Sequence, residues 1–260
     1  ANMCLPFPYL KDGPVEGSAM AILGRELYVI GGALRGGAAS NCVYVCDLVN
    51  LKGWRRIPSM RAPRRNAVAI TRPDGWLFVF GGCQDLTAPL AEVFDPRIGQ
   101  FWTSLQVHSH HPARGLEPPF EFVLVKGIAY IRDAASGIVF AATNLGWTHQ
   151  AAEGTRVHQS LFQHWCMDCN AAAAGPDLEL LITCYVETRS KGSVYSVRAY
   201  NPATRSWLAI RGLPQIIEEN AKRCQFMSFE QRGMHGTCIG IMLDTGLTIS
   251  TLDLKYGAPN

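Results

Sequence analysis

One short motif occurs twice in the sequence and constrains the fold more than any other feature. Leu27-Tyr28-Val29-Ile30-Gly31-Gly32 returns fifty residues later as Leu77-Phe78-Val79-Phe80-Gly81-Gly82. The apolar residues, rich in β-branched and aromatic types, predict a strand that is buried on both faces, and the glycine pair allows a backbone turn where a Cβ would clash. A period of this size is typical of a repeat architecture rather than of a single sheet.

Each copy of the motif is followed by two further predicted strands. They begin near Cys42 and Trp54 in the first copy, and near Ala91 and Phe101 in the second. A strand such as Ala67 to Ile70 precedes the motif, so each unit holds four short strands joined by tight turns. Such a unit cannot bury both faces alone and must stack against a neighbour.

The residues at the strand ends and turns of these units resemble those of a known family. A glycine pair ends the second strand, an aromatic residue precedes the turn at Asp95-Pro96, and Trp102 follows that aspartate by seven residues. Together with the segment Pro63 to Asn66, which opens the next unit, these features resemble the kelch repeat. The resemblance is specific over residues 18–107 and weakens beyond them. It implies an all-β, kelch-type β-propeller built from four-stranded antiparallel blades around a central channel.

The count of units predicts five four-stranded blades in a single domain over residues 1–260. The last unit has only three strands of its own, so residues 4–10 are expected to supply its fourth strand and to close the ring, which removes open sheet edges. A degenerate sixth blade in the connection from Gln150 to Cys166 is the alternative. The expected blade bounds are about 18–60, 65–107, 119–150, 166–211 and 223–254 plus 4–10.

The net charge and the positions of the cysteines indicate which binding partners and which cellular compartment to expect. The formal net charge is +3 and no Lys/Arg run exceeds a pair, so neither nucleic acid nor a membrane surface is expected. No apolar stretch of about 18 residues predicts a transmembrane helix, and the first residues lack the pattern of a signal peptide. Nine cysteines, most of them in apolar runs, indicate buried reduced thiols and a cytoplasmic or nuclear protein.

Chemistry is expected at one rim of the propeller. The loops before the first strand and after the second strand of each blade meet there, and they carry mixed charges that suit a peptide ligand. In kelch domains the residues corresponding to Arg65 and Asn66 commonly contact the ligand, so the resemblance assigns that role to them. The predicted ligand-binding residues are Arg64, Arg65, Asn66, Phe120, Glu121, Arg132, His164, Glu187 and Arg223.

Neither a metal site nor a cofactor is predicted. His108, His110 and His111 cluster on a Pro-rich loop without a fixed ligand geometry. Cys166 and Cys169 form only half of a common zinc pattern, and the other half is missing. The glycine pairs are not followed by a helix, which excludes a dinucleotide fingerprint.

Two functions remain open from the sequence. The motif style is similar to that of plant F-box/kelch-repeat proteins, which implies the substrate-recognising part of a ubiquitin ligase that binds a protein or peptide, although these 260 residues contain no F-box. The alternative is an enzyme or receptor for a small plant metabolite that uses cofactor-independent acid–base chemistry. Its candidate catalytic residues are His164, Tyr185, Glu187 and Glu230. A monomer is expected, because a closed ring needs no partner to protect its edges.

Overall fold

In the computed structural model, most of the described residues lie in antiparallel strands. It covers residues 4–6, 10, 13–14, 16–71, 75–83, 85, 87–89, 91–105, 120–125, 128–133, 139–143, 146–150, 171–174, 180–201, 203–231, 234–243 and 246–252. Within these residues lie twenty strands, one short α-helix and one 3-10 turn. None of the helical segments in this part of the chain is long and apolar enough to cross a bilayer.

The strands fall into five four-stranded antiparallel sheets, here called blades 1 to 5. Blade 1 comprises β2 (Ala19–Leu23), β3 (Glu26–Ile30), β4 (Val43–Asp47) and β5 (Trp54–Ile57). Blade 2 comprises β6 (Val68–Thr71), β7 (Leu77–Phe80), β8 (Ala91–Phe94) and β9 (Thr103–Leu105). Blade 3 comprises β10 (Phe120–Val125), β11 (Ile128–Asp133), β12 (Val139–Thr143) and β13 (Gly146–Gln150). Blade 4 comprises β14 (Ala171–Ala174), β15 (Leu180–Arg189), β16 (Gly192–Asn201) and β17 (Ser206–Ala209). Blade 5 comprises β18 (Cys224–Gln231), β19 (Met234–Leu243), β20 (Gly246–Leu252) and β1 (Cys4–Pro6).

The blades are arranged through their first strands. Strand β2 of blade 1 contacts β6 of blade 2 on one side and β18 of blade 5 on the other, and β14 contacts both β10 and β18. This order of inner strands is that of a propeller, so the predicted all-β, kelch-type fold is confirmed. The connection in which a sixth blade was possible, residues 151–166, lies outside the described residues, and the assignment of residues 1–260 to one domain stays a prediction.

The N-terminal strand completes blade 5, as predicted. Strand β1 pairs antiparallel with β20, with Cys4 opposite Ser250, Leu5 opposite Ile249 and Pro6 opposite Thr248. The first and last strands of the ring therefore belong to one sheet. This pairing covers an edge of β20 that would otherwise expose unpaired backbone groups.

The hydrophobic core is divided among the interfaces between neighbouring blades. On β3, Leu27 and Val29 pack into the cluster shared with blade 5, whereas Tyr28 and Ile30 pack into the cluster shared with blade 2. All four are buried, so the strand is covered on both faces because successive side chains point to opposite sides of the sheet. A third cluster, which includes Ile182, Cys224 and Phe226, joins blades 4 and 5.

The glycine pairs are required by both conformation and space. Gly31, Gly32, Gly81 and Gly82 all have positive φ, between 62° and 100°. A Cβ on Gly82 would lie 2.7 Å from the carbonyl oxygen of Arg65 and 2.8 Å from the amide nitrogen of Ala67. Because both obstacles are backbone atoms, no side-chain movement can relieve the clash.

Replacing Gly82 with alanine should therefore destabilise the protein more than the same change at a free turn. Gly24 has a similar φ of 59°, but a Cβ there would meet nothing within 4 Å. Gly24→Ala is expected to lower the free energy of unfolding by only about 1–2 kcal/mol, the cost of a left-handed backbone conformation for a residue with a Cβ. Gly82→Ala should cost a further ~1–3 kcal/mol from overpacking. Urea unfolding of both variants measures the difference, and equal losses would contradict the packing argument.

Where the glycine pair is missing, the strands continue into the predicted loops. In blade 4 the pairing runs to Arg189 opposite Gly192, so residues 187–192 form the end of a hairpin rather than a loop. In blade 3 Arg132 and Asp133 belong to β11. No glycine pair interrupts the ladder of hydrogen bonds at these positions, and in blade 4 the positive φ of 127° at Gly192 belongs to the hairpin tip itself. The sequence predicts loops at residues 132–136 and 187–192, and both predictions are corrected, because the first range begins within β11 and the second is the end of the β15–β16 hairpin.

The segment before blade 5 is another difference, because part of the predicted loop is helical. The short helix α1 (Gln215–Glu219) is followed by a 3-10 turn at Ala221–Arg223. Ile217 and Ala221 are buried in the cluster between blades 4 and 5. These two apolar contacts hold the segment against the propeller.

Candidate functional site

The best-described part of the predicted rim lies where blades 1 and 2 meet. The backbone N–H of Gly32 donates to the carbonyl of Arg64 (2.7 Å), and the N–H of Arg64 donates to the carbonyl of Ser40 (2.9 Å). The next residue, Arg65, donates its N–H to the carbonyl of Gly82 (2.8 Å). The glycine loops of two blades are thus connected through a single segment, residues 64–66, which gives this part of the rim a fixed backbone.

Arg64 is buried and holds the two blades together. Its side chain is 0% exposed, as is that of its ion-pair partner Glu92, and the Nη2 and Oε1 atoms are 3.1 Å apart. Nη1 donates to the carbonyl of Gly81 and Nη2 to that of Pro89, both at 2.6 Å. The Glu92 carboxylate also accepts the backbone N–H groups of Arg61 and Ala62. These contacts indicate a structural role for Arg64 instead of the predicted contact with a ligand.

The Arg64 guanidinium also influences a neighbouring thiol. Burial raises the pKa of Cys83, which follows the glycine pair of blade 2, and the positive charge of Arg64 opposes that rise. Cys83 is half-buried. The thiol form is therefore favoured next to this part of the rim.

Arg65 points in a different direction and is available to solvent. Its side chain is 36% exposed and forms an ion pair with Glu16, whose side chain is 44% exposed. Nη2 donates to the Glu16 carboxylate, while Nε is buried and has no hydrogen-bond acceptor. Arg65 therefore has an unsatisfied donor beside a partner that solvent can reach.

Asn66 is exposed and adopts a left-handed backbone conformation. Its φ is 57°, and its backbone N–H donates to the carbonyl of Gly17 (2.7 Å). Asparagine adopts this conformation more readily than most other residues. Local strain of this kind often occurs at binding sites, where the surrounding structure enforces it. Arg65 and Asn66 thus stand next to each other on a fixed backbone, and their contact with a ligand stays a prediction.

Three of the predicted residues lie on the first two strands of blade 3. Glu121 on β10 is paired with Arg132 on β11, and Phe120 is paired with Asp133. Both pairs lie at the end of the strands where β10 begins and β11 ends. The register thus places the three residues at the predicted rim of their own blade. Their role in binding stays a prediction, and His164 lies outside the described residues.

Glu187 and Arg223 lie near the same rim, on blade 4 and just before blade 5. Glu187 forms an exposed ion pair with Arg189, with Nη2 and Oε2 2.8 Å apart. Arg223 is exposed at the end of the 3-10 turn, and the preceding Lys222 places its Nζ 5.4 Å from the centre of the Tyr195 ring. Their contact with a ligand also stays a prediction.

Two of the candidate catalytic residues, Glu187 and Glu230, lie at opposite ends of their blades. Tyr185 packs within blade 4, with the Arg198 guanidinium 4.0 Å from the centre of its ring and the Trp207 ring edge-on at 5.1 Å between ring centres. Glu230 precedes the β18–β19 connection, where Gln231 is paired with Met234. The β18–β19 connection follows the first strand of blade 5, whereas the hairpin tip next to Glu187 follows the second strand of blade 4. Because the first and second strands of a blade run in opposite directions, these two connections lie at opposite ends of the blades. The structure separates these two carboxylates.

Metal ligation receives no support from the described residues. No group of three or more His, Cys, Asp or Glu side chains in the described ranges could hold a metal ion. His108, His110, His111, Cys166 and Cys169 lie outside those ranges. Six of the described cysteines have free thiols, namely Cys42, Cys46, Cys83, Cys184, Cys224 and Cys238. Burial raises the pKa of Cys224 and of Cys238 to about 12, so both thiols stay protonated at neutral pH.

Sequence reasoning missed the two acidic partners at this rim. Glu92 is the one charged residue in the four-residue strand β8, a pattern that signals a buried partner for an arginine. Glu16 had no comparable signal, because it lies in a polar segment 49 positions from Arg65. Only the fold brings that pair together.

Comparisons with known proteins agree with this architecture. A putative F-box/kelch-repeat protein of Arabidopsis thaliana is 27% identical over 83% of this chain and 52% of its own length. A second putative F-box/kelch-repeat protein from the same organism is 28% identical over 76% of the chain and 60% of its own length. A third relative there, an F-box/kelch-repeat protein, reaches 39% identity over 40% of the chain and 25% of its own length.

The predicted resemblance is thereby confirmed. The chain spans only 52% and 60% of the length of the first two of these relatives. No protein-family model matches the chain.

Proposed function

We propose that this chain, which is similar to F-box/kelch-repeat proteins over most of its length, is a recognition domain that binds a protein or peptide at the rim of blades 1 and 2. In this proposal it acts as the substrate-recognising part of a ubiquitin ligase component in the cytoplasm or nucleus. The observation that carries the proposal is the pair Arg65 and Asn66, presented side by side on a fixed backbone.

The chemistry of Arg65 suits a carboxylate ligand. A guanidinium binds a carboxylate most strongly through two parallel N–H donors. In the free protein Nη2 is bound to Glu16 and Nε has no acceptor. A ligand aspartate or glutamate that displaces Glu16 can accept hydrogen bonds from both Nη2 and Nε of Arg65. The displaced Glu16 carboxylate becomes solvated at little cost, because its side chain is already 44% exposed.

Asn66 adds a side-chain amide that can form hydrogen bonds with a peptide backbone. Its exposed amide can donate to a carbonyl and accept from an N–H of the ligand. Because its backbone N–H is held by Gly17, the side chain starts from a defined position. A prearranged pair of this kind reduces the ordering cost of binding.

The proposal predicts that Arg65→Ala weakens peptide binding by about 30-fold, the effect of losing one central contact. Peptides are first selected from a random phage-displayed library on the immobilised chain, and their affinities are then measured by titration calorimetry. Arg25→Ala is the matched control, because Arg25 forms an exposed ion pair with Asp47 at the opposite rim. The control should bind like the unchanged chain.

Two results would overturn this function. One is a selection that enriches no peptide, and the other is selected peptides that bind Arg65→Ala as tightly as they bind the unchanged chain. Melting temperatures of both variants are recorded to show that each is folded. Stabilisation of the chain by small plant metabolites in place of peptides would favour the metabolite receptor.

A further inference from the structure

Blade 4 contains two middle strands that are much longer than their neighbours. Strands β15 and β16 have ten residues each. Within the described ranges, the inner neighbour β14 is paired with Leu180–Thr183 and the outer neighbour β17 with Arg198–Asn201. The hairpin therefore extends beyond its sheet toward the rim.

The outer edge of this extension is open. Within the part of the chain that the structure describes, residues 192–197 of β16 pair with β15 and with no other strand. The chain leaves the sheet after Ala209, where Gly212 adopts a φ of 72° and helix α1 follows. Ile210 and Leu213 pack in the core between blades 4 and 5, where helix α1 and the 3-10 turn also contact β16. None of the described residues after β17 is paired as a strand with residues 192–197.

The residues of this edge favour pairing with another strand. The sequence Gly192-Ser193-Val194-Tyr195-Ser196-Val197 contains no charged residue and no proline. Exposed edges are normally protected by charges, by proline or by a bulge. Val194 is also 44% exposed. Residues 192–197 thus lack the charges, the proline and the bulge that commonly prevent strand addition.

The surroundings of the edge are basic. Lys191 in the turn precedes it, Arg198 follows it, and Arg211 comes two residues after Ala209, which is paired with Arg198. Arg189 lies opposite Gly192 and forms an ion pair with Glu187, the one acid of the hairpin. On the neighbouring segment, Glu218 and Glu219 are matched in number by Lys222 and Arg223.

From these observations we propose that the outer edge of β16, residues 192–197, is a second binding surface that accepts an extended acidic segment of a partner protein as an added β-strand. The partner's backbone pairs with the open edge, and its acidic side chains lie near the flanking cations. This surface is on the outside of blade 4 and does not involve Arg65. It therefore goes beyond the recognition function of the rim.

A second copy of this chain is a poorer occupant on the grounds of charge. Antiparallel pairing of two β16 edges would bring Lys191 of one copy near Arg198 of the other, with Arg189 and Arg211 close to both positions. Like charges at close range oppose such a contact. The acidic side chains of an added strand would instead be attracted by the same four cations.

The test uses two synthetic eight-residue peptides with blocked ends, one alternating glutamate and valine and the other alternating lysine and valine. Fluorescence anisotropy measures their binding to the full chain and to Val194→Glu, Val194→Lys and Val49→Glu. Val49 is 66% exposed on the β4–β5 turn of blade 1 and serves as the matched surface control. Amide chemical shifts of the ¹⁵N-labelled chain locate the contact.

The glutamate peptide should bind at least tenfold more tightly than the lysine peptide and shift the amides of residues 192–197. Val194→Glu should weaken it at least tenfold, whereas Val194→Lys, Val49→Glu and Arg65→Ala should retain binding. Equal binding of the two peptides, no binding, equal losses for both Val194 variants, or shifts confined to residues 64–66 would overturn the proposal. Self-association of the chain that Val194→Glu abolishes would identify a second copy as the occupant and would also overturn it.

Discussion

Glu92→Gln is expected to destabilise the protein by about 3–5 kcal/mol, the usual cost of removing one partner from a buried ion pair. The substitution leaves the Arg64 guanidinium without a compensating charge, and both side chains are 0% exposed. Two backbone N–H groups, those of Arg61 and Ala62, also lose a charged acceptor. Urea unfolding of the two proteins measures the difference in the free energy of unfolding.

Glu187→Gln is the matched control for this variant. It removes the same charge from an ion pair whose side chains are 59% and 42% exposed. Its expected effect is below about 1 kcal/mol, because water and salt screen an exposed pair. Similar losses for Glu92→Gln and Glu187→Gln would show that the Arg64 pair does not connect the blades as described.

Trp102→Ala should cost about 3–5 kcal/mol, the range for removing a large aromatic side chain from a core. Trp102 is 1% exposed and stacks on Phe94 with 5.1 Å between ring centres. Its indole N–H donates to the carbonyl of Pro58 (2.9 Å), which links blade 2 to the segment after blade 1. The substitution therefore opens a cavity and leaves a carbonyl without its donor. Thermal or urea unfolding measures the loss.

Trp54 provides the comparison, because it occupies the corresponding position in the first sequence repeat. It is only half-buried, at the margin of the cluster between blades 1 and 5. Trp54→Ala should therefore give a clearly smaller loss than Trp102→Ala. Losses of the same size would mean that the repeat position, and not the burial, sets the contribution of the tryptophan.

Most of the fold could be predicted from the sequence because its signals are local. The strand Leu27 to Ile30 and its copy at Leu77 to Phe80 are recognisable from residue type alone, and the glycine pairs mark backbone positions with positive φ. Strand closure by residues 4–6 follows from the same reasoning, since a unit with three strands needs a fourth. The blade 4 hairpin was missed, because a missing glycine pair does not reveal how far a strand continues.

The candidate site was predicted less well, because neighbouring residues of the same type differ in burial and in their ion-pair partners. Arg64 and Arg65 are adjacent and chemically equal, yet one is buried with Glu92 and the other pairs with Glu16 at the surface. Asn66, the next residue, is exposed. Glu187 and Glu230 were grouped in one site, but the direction of their strands separates them.

The sequence by itself determined the repeat, the four-stranded units and the turns, since alternation of side chains and positive φ are properties of a few consecutive residues. Only the tertiary structure decided which arginine is buried in an ion pair and which lies at the surface. The Arg64–Glu92 pair joins residues 28 positions apart, and the Arg65–Glu16 pair joins residues 49 positions apart. Such pairings depend on how two blades stack, and local sequence patterns carry no information about that packing.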